Sequence, residues 1–215
     1  MPDREAVLAQ AIPFDRDRWI SRLPDPAWWP VALDACPRDG RWQRVDRRTV
    51  FRVAESADSV EGRRHLLVAS LVWGSGTKAL TVDRRARIFA DPAAAADIDA
   101  RLTAALGTLR THGPVEAYRA LKSGQRIRFL GPAFFTKVLY FAGHDGGADP
   151  RPLILDSVVS RALRKAGLVD GGWPNNGWTP LQYERYLEGV CAYAERRGVL
   201  PDQVEAALFA CGKRV

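Results

Sequence analysis

A chain of 215 residues, 47% hydrophobic and 27% charged, can bury one good core or two small ones and has the makeup of an ordinary globular protein, not a disordered or fibrous one. Its net charge of +7, from 27 arginines and only five lysines against 25 acidic residues, favours a polyanionic partner. Cys36, Cys191 and Cys211 show no CxxC pair and no histidines at ligand spacing, which argues against a disulfide scaffold or a zinc site. No apolar run reaches about 18 residues and MPDREAVLAQ is charged from the outset, so neither a membrane span nor a signal peptide is expected, and a cytoplasmic location is.

Residues 1–58 read as a wrapping segment. Prolines interrupt it, and Trp19, Trp28, Trp29 and Trp42 should anchor it on the rest of the chain, because so many exposed tryptophans would be unfavourable. Alternation in RTVFRVAE, 48–55, suggests a single strand. From Ser59 the chain, 59–215, turns helical. Ser59 caps a helix through RRHLLVASLVW, which Gly74-Ser75-Gly76 ends. KALTVDRRARIF makes a second helix, Asp91-Pro92 starts a third, and Gly113-Pro114 starts a fourth that Gly124 closes.

QRIRFL then leads to LGPAFFTKVLYFAG. Gly131-Pro132 is a turn opening a helix, on which Phe134, Lys137, Val138 and Phe141 share one face. Lys137 is the only charge in this run. If that face is covered, the ammonium loses solvation and its pKa falls, which prepares a nucleophilic amine. Nineteen positions on, Leu153-Ile154-Leu155-Asp156 ends at a helix N-cap, where the Asp156 carboxylate can accept the Val158 or Val159 amide. After that helix, GLVDGGWPNNGWT is a loop holding Trp173 and Trp178. Thr179 and Gln182 form a capping box for a long helix stopped by Gly198, and Pro201-Asp202 begins the last helix.

A turn, a helix carrying Lys, and an Asp about 20 residues later at the head of the next helix resembles the helix-hairpin-helix DNA glycosylases, most of all the 8-oxoguanine DNA glycosylase branch. The family's hairpin reads Leu-Pro-Gly-Val-Gly-x-Lys. Here Pro132, Phe134, Thr136 and Lys137 fit it, and Ala133 and Phe135 replace the two glycines. The resemblance covers about residue 60 to the end. It implies a mainly α, two-lobed helical fold with at most a minor strand. It also implies Lys137 as the amine that attacks the sugar C1′ and Asp156 as the carboxylate that assists base departure. By position it puts Gly131, Ala133 and Phe135 near a DNA phosphate and Ser75 in the turn that probes the duplex. Trp73, Trp178, Tyr183 and Tyr186 become candidates for a base pocket, since an extruded base needs flat side chains. Lys122, Arg126 and Arg128, just before the hairpin, are candidate phosphate ligands.

The expected partner is double-stranded DNA containing a modified base, either an oxidised purine such as 8-oxoguanine or a hypermodified base of phage DNA attacked in antiviral defence. Base excision with abasic-site lyase activity follows, without metal or organic cofactor, by a monomer. Plainer roles stand beside these. Lys137 can snorkel from an apolar face, Asp156 can be an N-cap alone, the aromatics can be core, and the basic residues a solvated face. A non-catalytic helix-hairpin-helix DNA-binding module and a helical interaction protein are the alternatives at the level of function.

Overall fold

The computed structural model describes residues 1–91 and 94–214. Short elements come first: α1 (Arg4–Leu8), β1 (Ala11–Phe14), α2 (Arg16–Ile20), β2 (Arg38–Asp39) and β3 (Trp42–Asp46). The strands form an antiparallel sheet in the order β1-β3-β2, with Ala11 opposite Asp46 and Arg38 opposite Gln43. Pro13 is tolerated because β1 is an edge strand. Trp19, Trp28 and Trp29 are buried, and Trp42 stays half-buried with the Arg41 guanidinium over its ring.

The strand expected at 48–55 does not form. The Asp46 carboxylate accepts the Thr49 amide at 2.8 Å and starts α3 (Arg47–Ala54), which buries Val50 and Val53 three positions apart. In so short a run the two apolar periods cannot be told apart. True alternation lies just upstream in β3, where Gln43 and Val45 are buried.

The rest is helical: α4 (Val60–Ser75), α5 (Ala79–Ala86), α6 (Ala94–Lys122), α7 (Pro132–Gly143), α8 (Ser157–Lys165), α9 (Pro180–Arg197) and α10 (Pro201–Gly212). Ser59 accepts the Gly62 amide at 2.9 Å to cap α4, and Gly76 ends it at φ 67°. Within α6 the chain kinks at Gly113, whose φ of 82° and ψ of 179° are not helical, so the helices expected on either side of Gly113-Pro114 are distinct stretches, and Pro114, which has no amide to donate, opens the second. Pro92, the expected start of the first of them, lies outside the described residues.

The middle of α4, Leu66 to Trp73, is buried all round, as is α7 from Phe134 to Phe141. These two helices cross the centre of one continuous core that runs from Phe14 to Val204. No helix among the described residues is long and apolar enough to cross a membrane.

Candidate active site

Hydroxyl groups on two elements set the approach of Lys137 to Asp156. Thr136 Oγ1 accepts the Leu155 amide at 3.3 Å and donates to the Pro132 carbonyl at 2.8 Å, so the residues just before the lysine and the aspartate are tied together. From α9, Tyr183 donates to the Leu153 carbonyl at 3.0 Å and Tyr186 to the Ile154 carbonyl at 2.8 Å. The extended run before α8 is thereby held from both sides. Asp156 follows as the N-cap, its Oδ1 accepting the Val158 and Val159 amides at 3.0 and 3.1 Å.

Lys137 Nζ donates to Asp156 Oδ2 at 3.2 Å and to the Ala133 carbonyl at 2.8 Å. The two side chains are only 5% and 15% exposed, so the pair interacts with little screening by water. Burial alone would raise the Asp156 carboxyl. The Lys137 charge and the two amide donors outweigh it and hold the group below the usual carboxylate range. One oxygen is fixed by backbone and the other faces the amine.

Gly74 makes room for this arrangement. A Cβ there would lie 2.7 Å from Phe134 Cε1 and 3.0 Å from Lys137 Cδ. In sequence Gly74 is legible only as part of a helix-ending turn. Phe134 also carries the Arg85 guanidinium 4.1 Å from its ring centre and Lys137 Nζ at 5.3 Å.

A buried charged cluster adjoins the pair, and sequence reasoning missed it. Arg47, at the start of α3, is fully buried and lies 2.7 Å from Glu205 Oε2 of α10, itself 1% exposed. Arg47 also donates to Gln10 Oε1 at 2.9 Å and to Tyr140 Oη at 3.0 Å. Tyr140 donates to Asp202 at 2.9 Å, and Asp202 also receives Arg4. Burial pushes the Glu205 carboxyl up, against the opposing pull of Arg47. Asp156 and Lys137 also act on Glu205, which places it within electrostatic reach of the pair. Apart from the ion pair, neither Glu205 oxygen has a hydrogen-bond partner among the described residues. Above the cluster, the Trp73 ring lies 5.1 Å from the Arg47 guanidinium and meets Phe141 edge-on at 5.5 Å. Phe141 is one helical turn beyond Lys137.

The other candidates are placed as follows. Trp73 donates to the Gln10 carbonyl at 3.1 Å, beside the cluster. Trp178 is fully buried in its loop and donates to the Pro174 carbonyl at 2.8 Å. Tyr183 stacks on Tyr118 at 4.5 Å, and Tyr186 lines a cavity of about 380 Å³ between α8, α9 and α10. Tyr183 and Tyr186 hold the run before Asp156 through its Leu153 and Ile154 carbonyls.

Lys122 donates to the Gly177 and Trp178 carbonyls, while Arg126 and Arg128 are exposed. Gly131 and Ala133 are half-buried where α7 begins, with open space beside Gly131. Phe135 is buried against Tyr118, and its amide donates to the Gly131 carbonyl at 3.0 Å, so that amide is not available to a phosphate. Ser75 Oγ donates to the Leu71 carbonyl at 2.6 Å, inside its own helix. Phe129, overlooked in the sequence, is 39% exposed and has φ 66°, a conformation that costs a non-glycine residue about 1–3 kcal/mol.

Residues 5–209 match the family described as "Putative 8-oxoguanine DNA glycosylase OGG-like protein". No curated protein and no solved structure matches the chain significantly. Since the family match spans nearly the whole chain and contains both Lys137 and Asp156, the protein belongs to this OGG-like family.

Proposed function

We propose that the protein is a DNA glycosylase that excises an oxidised guanine through a Schiff base on Lys137 and then nicks the abasic strand. The observation that carries this function is the buried Lys137–Asp156 pair, with its aspartate fixed by two amides and the preceding residues of both partners tied together. A solvated structural ion pair needs no such positioning. Asp156 Oδ2 is placed to take the proton the ammonium must lose. The amine then bonds to C1′ as the C1′–N bond breaks and its electrons leave with the base. The proton taken up by Asp156 passes to the departing base, and the carboxylate so restored stabilises the positive charge that develops on the sugar, in a site where little water competes. Opening of the sugar gives the Schiff base, and β-elimination of the 3′ phosphate nicks the strand.

The cluster beside the pair supports the class of base. The Glu205 carboxylate, whose Oε2 is ion-paired with Arg47 and whose oxygens have no hydrogen-bond partner among the described residues, is of the kind that accepts from two adjacent donors, and guanine and its oxidised form present N1–H and the 2-amino group side by side. Adenine, cytosine and thymine present no such donor pair. Trp73 and Phe141 supply the flat surfaces against which an extruded base can be held. Tyr183 and Tyr186 act as positioning residues for Asp156, through the backbone they hold.

The test is single-turnover cleavage of duplexes carrying 8-oxoguanine, guanine, uracil or glucosylated hydroxymethylcytosine. Release and nicking at 8-oxoguanine alone is expected. Cleavage at the glucosylated cytosine instead would move the substrate to a hypermodified base, and no cleavage of any duplex would remove the glycosylase function. In the same assay Gly74→Ala is expected to slow the chemical step about ten- to a hundredfold with DNA affinity retained, because its methyl displaces Lys137 and Phe134. An unchanged rate would mean the lysine tolerates displacement.

A further inference from the structure

Phe129 is the only non-glycine residue with positive φ among the described residues. A glycine would take that conformation without strain, and an exposed hairpin position offers a bulky ring no core to fill. The ring is held by cations instead. The Arg87 guanidinium lies 4.9 Å and the Arg128 guanidinium 4.7 Å from its centre. Two residues before Arg87, Arg85 covers Phe134, the ring that also touches Lys137. One short stretch of chain, through Arg85 and Arg87, thus touches both the ring beside the buried lysine and the exposed ring.

We propose that Phe129 is a nucleobase-stacking contact: it takes an unstacked base of the DNA beside the nucleotide presented to Lys137, while Arg87 and Arg128 turn to the flanking phosphates. Stacking on an aromatic face suits any base, and the guanidiniums exchange a contact with the ring for one with a phosphate. The inference rests on the DNA-acting function proposed above, and adds to it a contact outside the reacting centre.

Phe129→Gly tests it, since this change removes the ring and relaxes the backbone at once. Affinity is measured by fluorescence anisotropy at several salt concentrations, on a fully paired duplex and on one with a tetrahydrofuran abasic analogue, which leaves a base unpaired and cannot form a Schiff base. Phe129→Gly is expected to bind the analogue duplex about tenfold more weakly, with its salt slope and its binding to the paired duplex unchanged, and Phe129→Tyr should restore it. Arg87→Ala and Arg128→Ala should each lower the salt slope by about one. Binding by Phe129→Gly equal to the wild type, or a loss that Phe129→Tyr does not restore, overturns the stacking role.

Borohydride trapping of a true abasic duplex by the wild type separates this inference from the lyase function. Trapping together with unaffected binding in Phe129→Gly overturns the stacking contact alone. Lost affinity in Phe129→Gly without trapping by the wild type overturns the lyase function and leaves the contact standing. No DNA binding by the wild type overturns both.

Discussion

Lys137→Gln is expected to lower base release and strand nicking by at least about a thousandfold while leaving the fold and DNA affinity nearly unchanged. Glutamine is close to lysine in length, and its amide can still donate toward the Ala133 carbonyl and Asp156 Oδ2, now 2.8 and 3.2 Å from Nζ. What it lacks is an amine that can bond to C1′. Single-turnover cleavage and anisotropy, run on the same preparation, separate chemistry from binding. If Lys137 were a phosphate contact only, affinity would fall about as it does for a surface arginine, and any residual rate would be limited by binding. A near-normal cleavage rate at saturating protein would show that the amine is not the nucleophile.

The second large effect belongs to the buried cluster. Arg47→Met should cost about 3–5 kcal/mol of stability, because it leaves Glu205, 1% exposed, without its cation. Burial already pushes the Glu205 carboxyl up, and loss of Arg47 removes the main opposing pull, so the carboxyl should be pushed further up in the variant. Urea denaturation should show a lower midpoint with an unchanged slope.

The double variant Arg47→Met with Glu205→Leu should recover much of that stability, since neither charge is then stranded. It should still trap a preformed abasic site, because Lys137 and Asp156 are untouched, yet fail to release 8-oxoguanine. Base release by the double variant at the wild-type rate would show that the cluster serves folding and not recognition of the base. A loss below about 1 kcal/mol for Arg47→Met would show that Glu205 readily finds water.

What was legible in the sequence was local. Pro132 opening α7, Asp156 capping α8, the Thr179–Gln182 box and the stops at Gly76 and Gly198 each depend on neighbours in the chain, and each stands where its chemistry indicates. The strand expected at 48–55 failed for a local reason too. Val50 and Val53 fit a helical face as well as a strand, and the capping oxygen of Asp46 decides between them from just outside the segment.

Distant approach was not legible. Gly74 announces a helix end but not that Phe134 and Lys137 occupy the volume of its absent side chain. Arg47 and Glu205 stand near opposite ends of the chain, and each alone reads as a surface charge. Phe129 was hidden because turn chemistry assigns positive φ to glycine or asparagine, and only the folded backbone shows a phenylalanine there. The Lys137–Asp156 pair could be proposed because hairpin and cap fix both ends locally. The hydroxyls of Thr136, Tyr183 and Tyr186 that position the pair emerge only in three dimensions.

The most direct measurement is borohydride reduction of the wild type on a duplex with a preformed abasic site, followed by mass mapping of the covalent product. A stable protein–DNA band with the sugar remnant on Lys137, absent from Lys137→Gln, is expected. A band that persists in Lys137→Gln, a remnant mapped to another amine such as Lys122, or no band although the duplex is bound would contradict the Schiff-base function of Lys137.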